Sequence, residues 1–250
     1  MARRNLSHTM RILRVAVIFL MSAMLMSQEK NQCPPATDAL SAVRIPHEIS
    51  LDAVHPAPEW AKAAPVTFCA DWQGKNADGA RQTEVRVLWT PATLYLRFDC
   101  RYRELFVFPD SEANGRRDQL WDRDVAEAFL QPDPSRPSYY KELEVSPNGM
   151  WIDLDILPRD VLPEGRRDLK SGLTRSVWLD RERHTWAAEL AIPMKALTAN
   201  FDPAATWRAN FFRVEGPHEP RFYSAWRPTD TPQPNFHVPA AFGELRFVQK

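Results

Sequence analysis

The chain has 250 residues, and its 32 Lys and Arg balance 32 Asp and Glu, which gives a formal net charge of zero. The length suits a single domain. Zero net charge argues against a nucleic-acid partner that is bound by bulk electrostatics. Nine Trp are many for this length, and Trp serves both in protein cores and wherever a flat amphipathic ring meets a ligand.

The N-terminus has the pattern of a secretory signal peptide. An uninterrupted run of apolar and small residues at 15–26 follows a basic segment, and the polar residues 28–30 end it. Such a run is too short to span a bilayer and suits the core of a signal peptide. We therefore predict a signal peptide at residues 1–27, a secreted or periplasmic protein, and no membrane span in the mature chain. An uncleaved N-terminal anchor is the alternative, and either Met1 or Met10 is the true start.

Residues 28–48 are predicted to be a linker, because they contain a Pro pair and show no periodicity. The domain is predicted to cover residues 49–250. Export makes disulfides chemically permissible, and two of the three Cys, Cys69 and Cys100, lie in predicted strands. A Cys69–Cys100 bridge is one interpretation. The favoured interpretation is that both are small, buried apolar residues.

From residue 49 onwards the sequence has the pattern of many short strands. The clearest is 93–102, where Leu94, Leu96 and Phe98 alternate with residues of the opposite face. Residues 193–197 begin with Pro and predict one helical turn. The other predicted strands are 66–70, 84–90, 124–131, 139–146, 151–156, 173–179, 185–192, 206–215, 222–226 and 242–248. Roughly ten short strands separated by turn signals predict an all-β fold, a two-sheet antiparallel β-sandwich of the jelly-roll or immunoglobulin-like type.

Residues 120–129 combine an aromatic ring with several acids at the entrance to a strand. Strands alternate their faces, so Glu127 shares a side with Val125 and Phe129. A carboxylate on such a face needs a partner, a metal or a polar ligand, because burying it alone is costly. Trp121 precedes the strand, where a loop can present its ring. A ring beside carboxylates is typical of sugar recognition: the ring covers the C–H face of a pyranose and the acids accept its hydroxyl hydrogens. The alternative is a core Trp with solvated acids.

No motif in the sequence indicates catalysis. The chain lacks G-x-S-x-G, H-E-x-x-H and a Gly-rich phosphate loop. Acid pairs are too frequent here to indicate a glycosidase site. We therefore expect a protein that is not an enzyme, for which hydrolase or carbohydrate-catabolic roles would arise only through association with glycoside hydrolases.

Several segments in a fixed order resemble the family 9 carbohydrate-binding modules and their relatives in secreted bacterial proteins. The resemblance runs from about residue 49 to residue 247, and it depends on the ordered set rather than on any single segment. The segments are Ser50-Leu51-Asp52, Pro58-Glu59-Trp60, Leu88-Trp89, Leu94-Tyr95-Leu96, residues 121–129, Tyr139-Tyr140, residues 144–149, residues 189–193, residues 207–211, Ser224-Ala225-Trp226, Asn235-Phe236-His237 and residues 242–245.

The resemblance implies a two-sheet sandwich that holds a sugar end between two aromatic rings. Trp121 matches one ring, Phe236 lies where the second ring falls, and Glu127 is similar to an acid that bonds sugar hydroxyls. We add Asn235, beside Phe236, and Asp124, at the strand entrance, to the candidate sugar-binding residues; bracing the strand entrance is the alternative role of Asp124.

Two departures from the family pattern put the known sugar preference in doubt. Phe236 offers less area than Trp and no indole N–H. Around Glu144 the sugar binders carry a basic residue, whereas this chain carries an acid. A partner carbohydrate is the expectation, no cofactor is required, and the oligomeric state is open. Some family members bind structural calcium through oxygen ligands, but the acids of this chain are too many to choose among.

Two other functions remain as alternatives. The first is a structural or interaction domain of the cell envelope that keeps the fold without binding sugar. The second is an electron-transfer domain, because the wider superfamily includes haem-binding domains with axial Met and His or Lys ligands. No spacing recommends a ligand pair among His184, His218, His237 and Met150.

Overall fold

The computed structural model describes residues 33–110, 112 and 114–249. The predicted signal peptide, residues 1–27, lies outside this part of the chain. Within the described residues, no helix has the length and apolar character needed to cross a membrane.

The fold is almost entirely β. The predicted helical turn is confirmed as α1, Met194–Leu197, and four short 3-10 turns complete the helical structure of the described chain. The strands are β1 Ala39–Arg44, β2 Val66–Phe68, β3 Thr83–Trp89, β4 Thr93–Arg101, β5 Val125–Gln131, β6 Tyr140–Val145, β7 Trp151–Ile156, β8 Arg166–Asp168, β9 Thr174–Asp180, β10 Thr185–Pro193, β11 Trp207–Glu215, β12 Phe222–Ala225 and β13 Gly243–Val248.

The strands form one continuous, curled sheet whose two halves face each other, so the predicted β-sandwich is confirmed. The order is β8-β7-β6-β5-β11-β13-β1-β3-β4-β10-β9, with β12 on β11 and β2 on β3. Most pairings are antiparallel, but β1 pairs in parallel with both β13 and β3. The sheet has 13 strands rather than the roughly ten that the sequence predicts, and its halves are joined by hydrogen bonds through β11, β13 and β1.

The main core lies between the two halves. Strands β3, β4 and β10 contribute one wall, and β5, β6 and β11 contribute the other. Trp89 and Trp207 lie in this core, and Trp226, which follows β12, closes it. The three Trp are 2%, 2% and 1% exposed, so they serve the core rather than a ligand site.

A second apolar cluster covers the opposite face of β5, β6, β7 and β11. Phe129, Phe212 and Ile152 belong to this cluster, together with Phe236 and Phe242 from the segment before β13. The alternation of β5 explains why this face exists: Ala126 and Ala128 point into the main core, so Val125, Glu127 and Phe129 point away from it. The candidate site lies on this face.

The N-terminal boundary differs from the sequence prediction. The predicted linker, residues 28–48, contains β1, whose residues Leu40 and Ala42 are buried in the main core. Its partners β13 and β3 are distant in sequence and run parallel to it. Pairing with distant strands cannot be recognised from neighbouring residues, and a six-residue strand of mostly small side chains has little hydrophobic alternation of its own.

The cysteine prediction also needs correction. Cys33 forms a disulfide with Cys69, and Cys100 is the free thiol of the three. Cys100 lies on β4 and points into the main core, where Thr83 Oγ1 donates to its sulfur. The Cys69–Cys100 bridge is therefore wrong, because Cys69 follows β2 and meets the N-terminal segment instead. The favoured interpretation of a buried apolar residue is right for Cys100 alone.

Candidate functional site

A cavity of about 490 Å³ opens beside the second apolar cluster. Four of the predicted site residues line it: Trp121, Glu127, Asn235 and Phe236. They come from three separate segments of the chain, the turn before β5, β5 itself and the segment before β13. The fifth predicted residue, Asp124, does not line the cavity.

Trp121 is presented by a short, firmly held turn. Leu120 is fully buried in the second apolar cluster and anchors the turn Leu120–Asp122, while the Trp121 side chain is half-buried at the cavity wall. Arg221 holds the turn from below: its Nη1 donates to the Trp121 carbonyl at 3.0 Å and its Nε donates to the Gly216 carbonyl at 3.0 Å. The backbone position of this ring is therefore fixed by a side chain from just before β12.

Asp124 braces this same region. It is 0% exposed, and its carboxylate accepts hydrogen bonds from the backbone N–H groups of Phe106 at 3.0 Å and Gly216 at 2.8 Å. Arg221 Nη2 lies 3.7 Å from the same carboxylate. Burial raises the pKa of Asp124 in spite of these donors and of Arg213. Asp124 therefore braces the strand entrance by joining three segments, which is the alternative role given for it in the sequence analysis.

Glu127 lies at the floor of the cavity and is 2% exposed. On β6 its direct cross-strand neighbour is Glu144, and on β11 it is Phe212. Like charges directly opposite each other destabilise a sheet. This pair is therefore either partly protonated or compensated by a positive charge.

A third acid joins the pair. Glu142 points to the same face from β6 and lines the cavity, and one carboxylate oxygen from each of Glu127, Glu142 and Glu144 lies within 4.8 Å of the others. Burial, and then Glu142, raise the pKa of Glu127 well above its ordinary value, although Arg221 acts in the opposite direction. Burial, Glu127 and Glu142 raise the pKa of Glu144 well above its ordinary value as well. A protonated carboxyl can donate to a ligand and an ionised one can accept, so this floor suits hydroxyl groups.

Phe236 forms part of the cavity wall but is largely buried. It is 8% exposed, and its ring stacks on Phe212 with centroids 4.2 Å apart. One of its faces is therefore covered by the protein. Tyr223, which also lines the cavity and is half-buried, meets the Phe236 ring edge-on at 6.0 Å. Asn235 is exposed at the rim, where its Oδ1 accepts from the His237 backbone N–H at 3.0 Å.

Several cavity residues were not identified from the sequence. Arg166, on the short strand β8, places its guanidinium 4.3 Å from the centre of the Trp121 ring. His237 lines the cavity, and its Nδ1 shares a hydrogen bond of 2.7 Å with the Tyr140 hydroxyl. Glu142, Arg221 and Tyr223 are among the other lining residues that the sequence does not identify. For Glu142 a signal was available, because Tyr140, Glu142 and Glu144 alternate on one face of β6.

The family model described as Carbohydrate-binding family 9 matches residues 69–247. This span covers the larger part of the described chain and every predicted site residue. A curated relative, a protein of Arthroderma benhamiae named "Extracellular protein", is 27% identical over 179 residues, which cover 67% of this chain and 79% of the relative.

Solved structures share the fold. A provisionally assigned carbohydrate-binding protein of Bacteroides uniformis superposes with a TM-score of 0.66 at 18% identity, covering 84% of this chain and 99% of that one. A family 9 carbohydrate-binding module of Caldicellulosiruptor kristjanssonii in complex with cellotriose gives a TM-score of 0.58 at 13% identity, covering 85% and 94%. The same type of module in complex with glucose gives 0.58 at 12% identity, covering 85% and 96%. At such identities the likeness concerns the fold.

Proposed function

Because the chain belongs to carbohydrate-binding family 9, we propose that it is a non-catalytic protein whose cavity binds a carbohydrate. The observation that carries the proposal is that one cavity brings together the half-buried Trp121 ring, the Glu127 carboxyl and the Asn235 amide. A ring that covers the C–H face of a sugar and polar groups that meet its hydroxyls are the two requirements of such a site.

In this proposal the sugar lies between Trp121 and the wall that contains Phe236. Trp121 supplies the stacking surface, because its ring is more exposed than that of Phe236. Glu127 meets sugar hydroxyls from the floor, and Asn235 meets them from the rim. Asp124 acts through the turn that it braces and does not touch the ligand.

The proposed place of action is outside the cytoplasm. The support comes from the basic and apolar pattern of residues 1–27 and from the Cys33–Cys69 disulfide, a bond typical of oxidising compartments. An uncleaved N-terminal anchor is compatible with the same role, since it would leave the binding domain on the outer side of the membrane.

Isothermal titration of the purified protein with mono- and oligosaccharides tests the proposed function. Glucose and cello-oligosaccharides are the first probes, because related folds have been solved with glucose and cellotriose. The proposal predicts saturable heat with at least one sugar of the panel. No heat with any sugar, from a protein shown to be folded by circular dichroism, would contradict it.

That negative result would favour the second candidate, an interaction domain of the cell envelope that keeps only the fold. One observation favours this candidate: the face of Phe236 against Phe212 is covered, and Arg166 covers a face of Trp121. Neither ring is therefore fully open in this structure. The glycan panel separates the two candidates directly.

A further inference from the structure

The floor of the cavity holds three acids on two adjacent strands. Glu127, Glu142 and Glu144 are 2%, 4% and 0% exposed, and one carboxylate oxygen from each lies within 4.8 Å of the others. The sequence alone does not single out these three acids, and they lie within β5 and β6 rather than in a loop. Strands hold side chains in fixed directions, so the three carboxylates converge without any loop having to close.

A separate observation concerns the hydrogen bonding of these carboxylates. Both carboxylate oxygens of Glu144, and Oε2 of Glu142, are buried and have no hydrogen-bond partner among the described residues. A buried polar group without a partner costs free energy, and more so when it carries charge. Arg221 and Arg166 both lie near the cluster, but neither supplies the missing partner. Arg221 directs its donors to the carbonyls of Gly216 and Trp121, and the guanidinium of Arg166 lies over the Trp121 ring.

The geometry favours a small cation over a larger cationic group. Glu127 and Glu142 line the cavity, but Glu144 lies beneath them and its oxygens are inaccessible. An amino group attached to a sugar ring would therefore reach two of the carboxylates, whereas a bare ion can lie between all three. Calcium binds carboxylate oxygens at about 2.3–2.6 Å in flexible geometry, so ligand oxygens around one ion lie within about 5 Å of each other.

We propose that Glu127, Glu142 and Glu144 bind a divalent cation of the calcium type at the floor of the cavity. The oxygens of Glu144 hold it from below, and Glu127 and Glu142 hold it from the cavity side. Coordination positions that face the cavity then remain for water or for hydroxyls of the ligand. This last step rests on the proposed function, but the cation site itself does not.

Calorimetric titration of CaCl₂ into purified, chelator-treated protein tests the site, with thermal unfolding as the second readout. Wild-type protein should bind about one Ca²⁺ with saturable heat, and its Tm should rise with Ca²⁺ concentration, because an ion that binds the folded state stabilises it. Glu144→Gln should remain folded, since it removes a buried charge, and should lose at least about tenfold in Ca²⁺ affinity. Glu219→Gln is the matched control: Glu219 lines the same cavity outside the cluster, and this variant should bind Ca²⁺ like wild type.

Three results would overturn the cation site. The first is that millimolar Ca²⁺ changes neither heat nor Tm of the wild-type protein. The second is that Glu144→Gln keeps the wild-type affinity. The third is that glucosamine raises the Tm while Ca²⁺ does not, which would assign the acids to an amino sugar. Sugar titrations with chelator and with Ca²⁺ distinguish failure of one proposal from failure of the other. Ca²⁺ binding without sugar binding supports the cation site and contradicts the proposed function. Sugar binding without Ca²⁺ binding supports the proposed function and contradicts the cation site.

Discussion

The guanidinium of Arg166 lies 4.3 Å from the centre of the Trp121 ring, and both side chains line the same cavity. A sugar that stacks on this face of Trp121 has to displace Arg166. Because Arg166 is exposed, its contact with the ring is worth about 0.5–1 kcal/mol.

Arg166→Ala should therefore strengthen sugar binding by about two- to fivefold, because the sugar no longer has to break the contact between Arg166 and Trp121. Titration calorimetry with the sugar that binds wild type measures the change. Arg167→Ala is the control, because Arg167 is adjacent but pairs with Asp155 at 2.8 Å. Weaker binding by Arg166→Ala would show instead that Arg166 donates to the ligand.

Phe236 is expected to matter for stability at least as much as for ligand binding. It is 8% exposed and stacks on Phe212 in the second apolar cluster. Phe236→Ala should lower the free energy of unfolding by roughly 3–5 kcal/mol, the usual cost of such a truncation in a core. Urea unfolding measures it. Trp121→Ala truncates a half-buried ring and should lower the free energy of unfolding by clearly less. An equal loss in both variants would contradict the assignment of Phe236 to the apolar cluster and of Trp121 to the cavity wall.

Asp124 should also act on stability. Asp124→Ala leaves two backbone N–H groups without their acceptor, the buried one of Gly216 and the partly buried one of Phe106. We expect a loss of about 2 kcal/mol or more in unfolding free energy. Chemical denaturation provides the measurement. If the variant kept wild-type stability but lost sugar affinity, Asp124 would have to be reassigned to the ligand site.

The three Cys should react in a fixed order with a thiol reagent. Burial raises the pKa of the Cys100 thiol to about 11, so the native protein should show no reactive thiol at pH 8. Denaturation without reductant should release one thiol, Cys100, because Cys33 and Cys69 are paired. Reduction should then release all three. Peptide mapping that found a Cys69–Cys100 bridge would contradict the structure.

Local patterns were enough to predict the strands that carry the site. The alternation of β5 correctly groups Glu127 with Val125 and Phe129, on the face that the structure shows to lie away from the main core. The turn before β5 presents the half-buried ring of Trp121 at the cavity wall. These features depend on neighbours in sequence. The core positions of Trp89 and Trp207 also follow from local pattern, since each residue lies within a predicted strand.

The features that the sequence does not predict depend on contacts between distant segments. The register of β5 against β6 sets Glu127 opposite Glu144, and no local pattern gives that register. Arg221 reaches the Trp121 turn across 100 positions in the chain. The parallel strand β1 and the partner of Cys69 were missed for the same reason, because both are determined by tertiary pairing.

The most direct test of the central claim compares two Trp truncations by titration calorimetry with a sugar that binds wild type. Trp121→Ala should weaken binding by roughly 1–3 kcal/mol, the scale of losing one large ring from an interface. Trp178→Ala is the matched control, since Trp178 is also half-buried but lies outside this cavity, and it should bind like wild type. Unchanged affinity in Trp121→Ala, or an equal loss in both variants, would contradict the assignment of the cavity as the carbohydrate site.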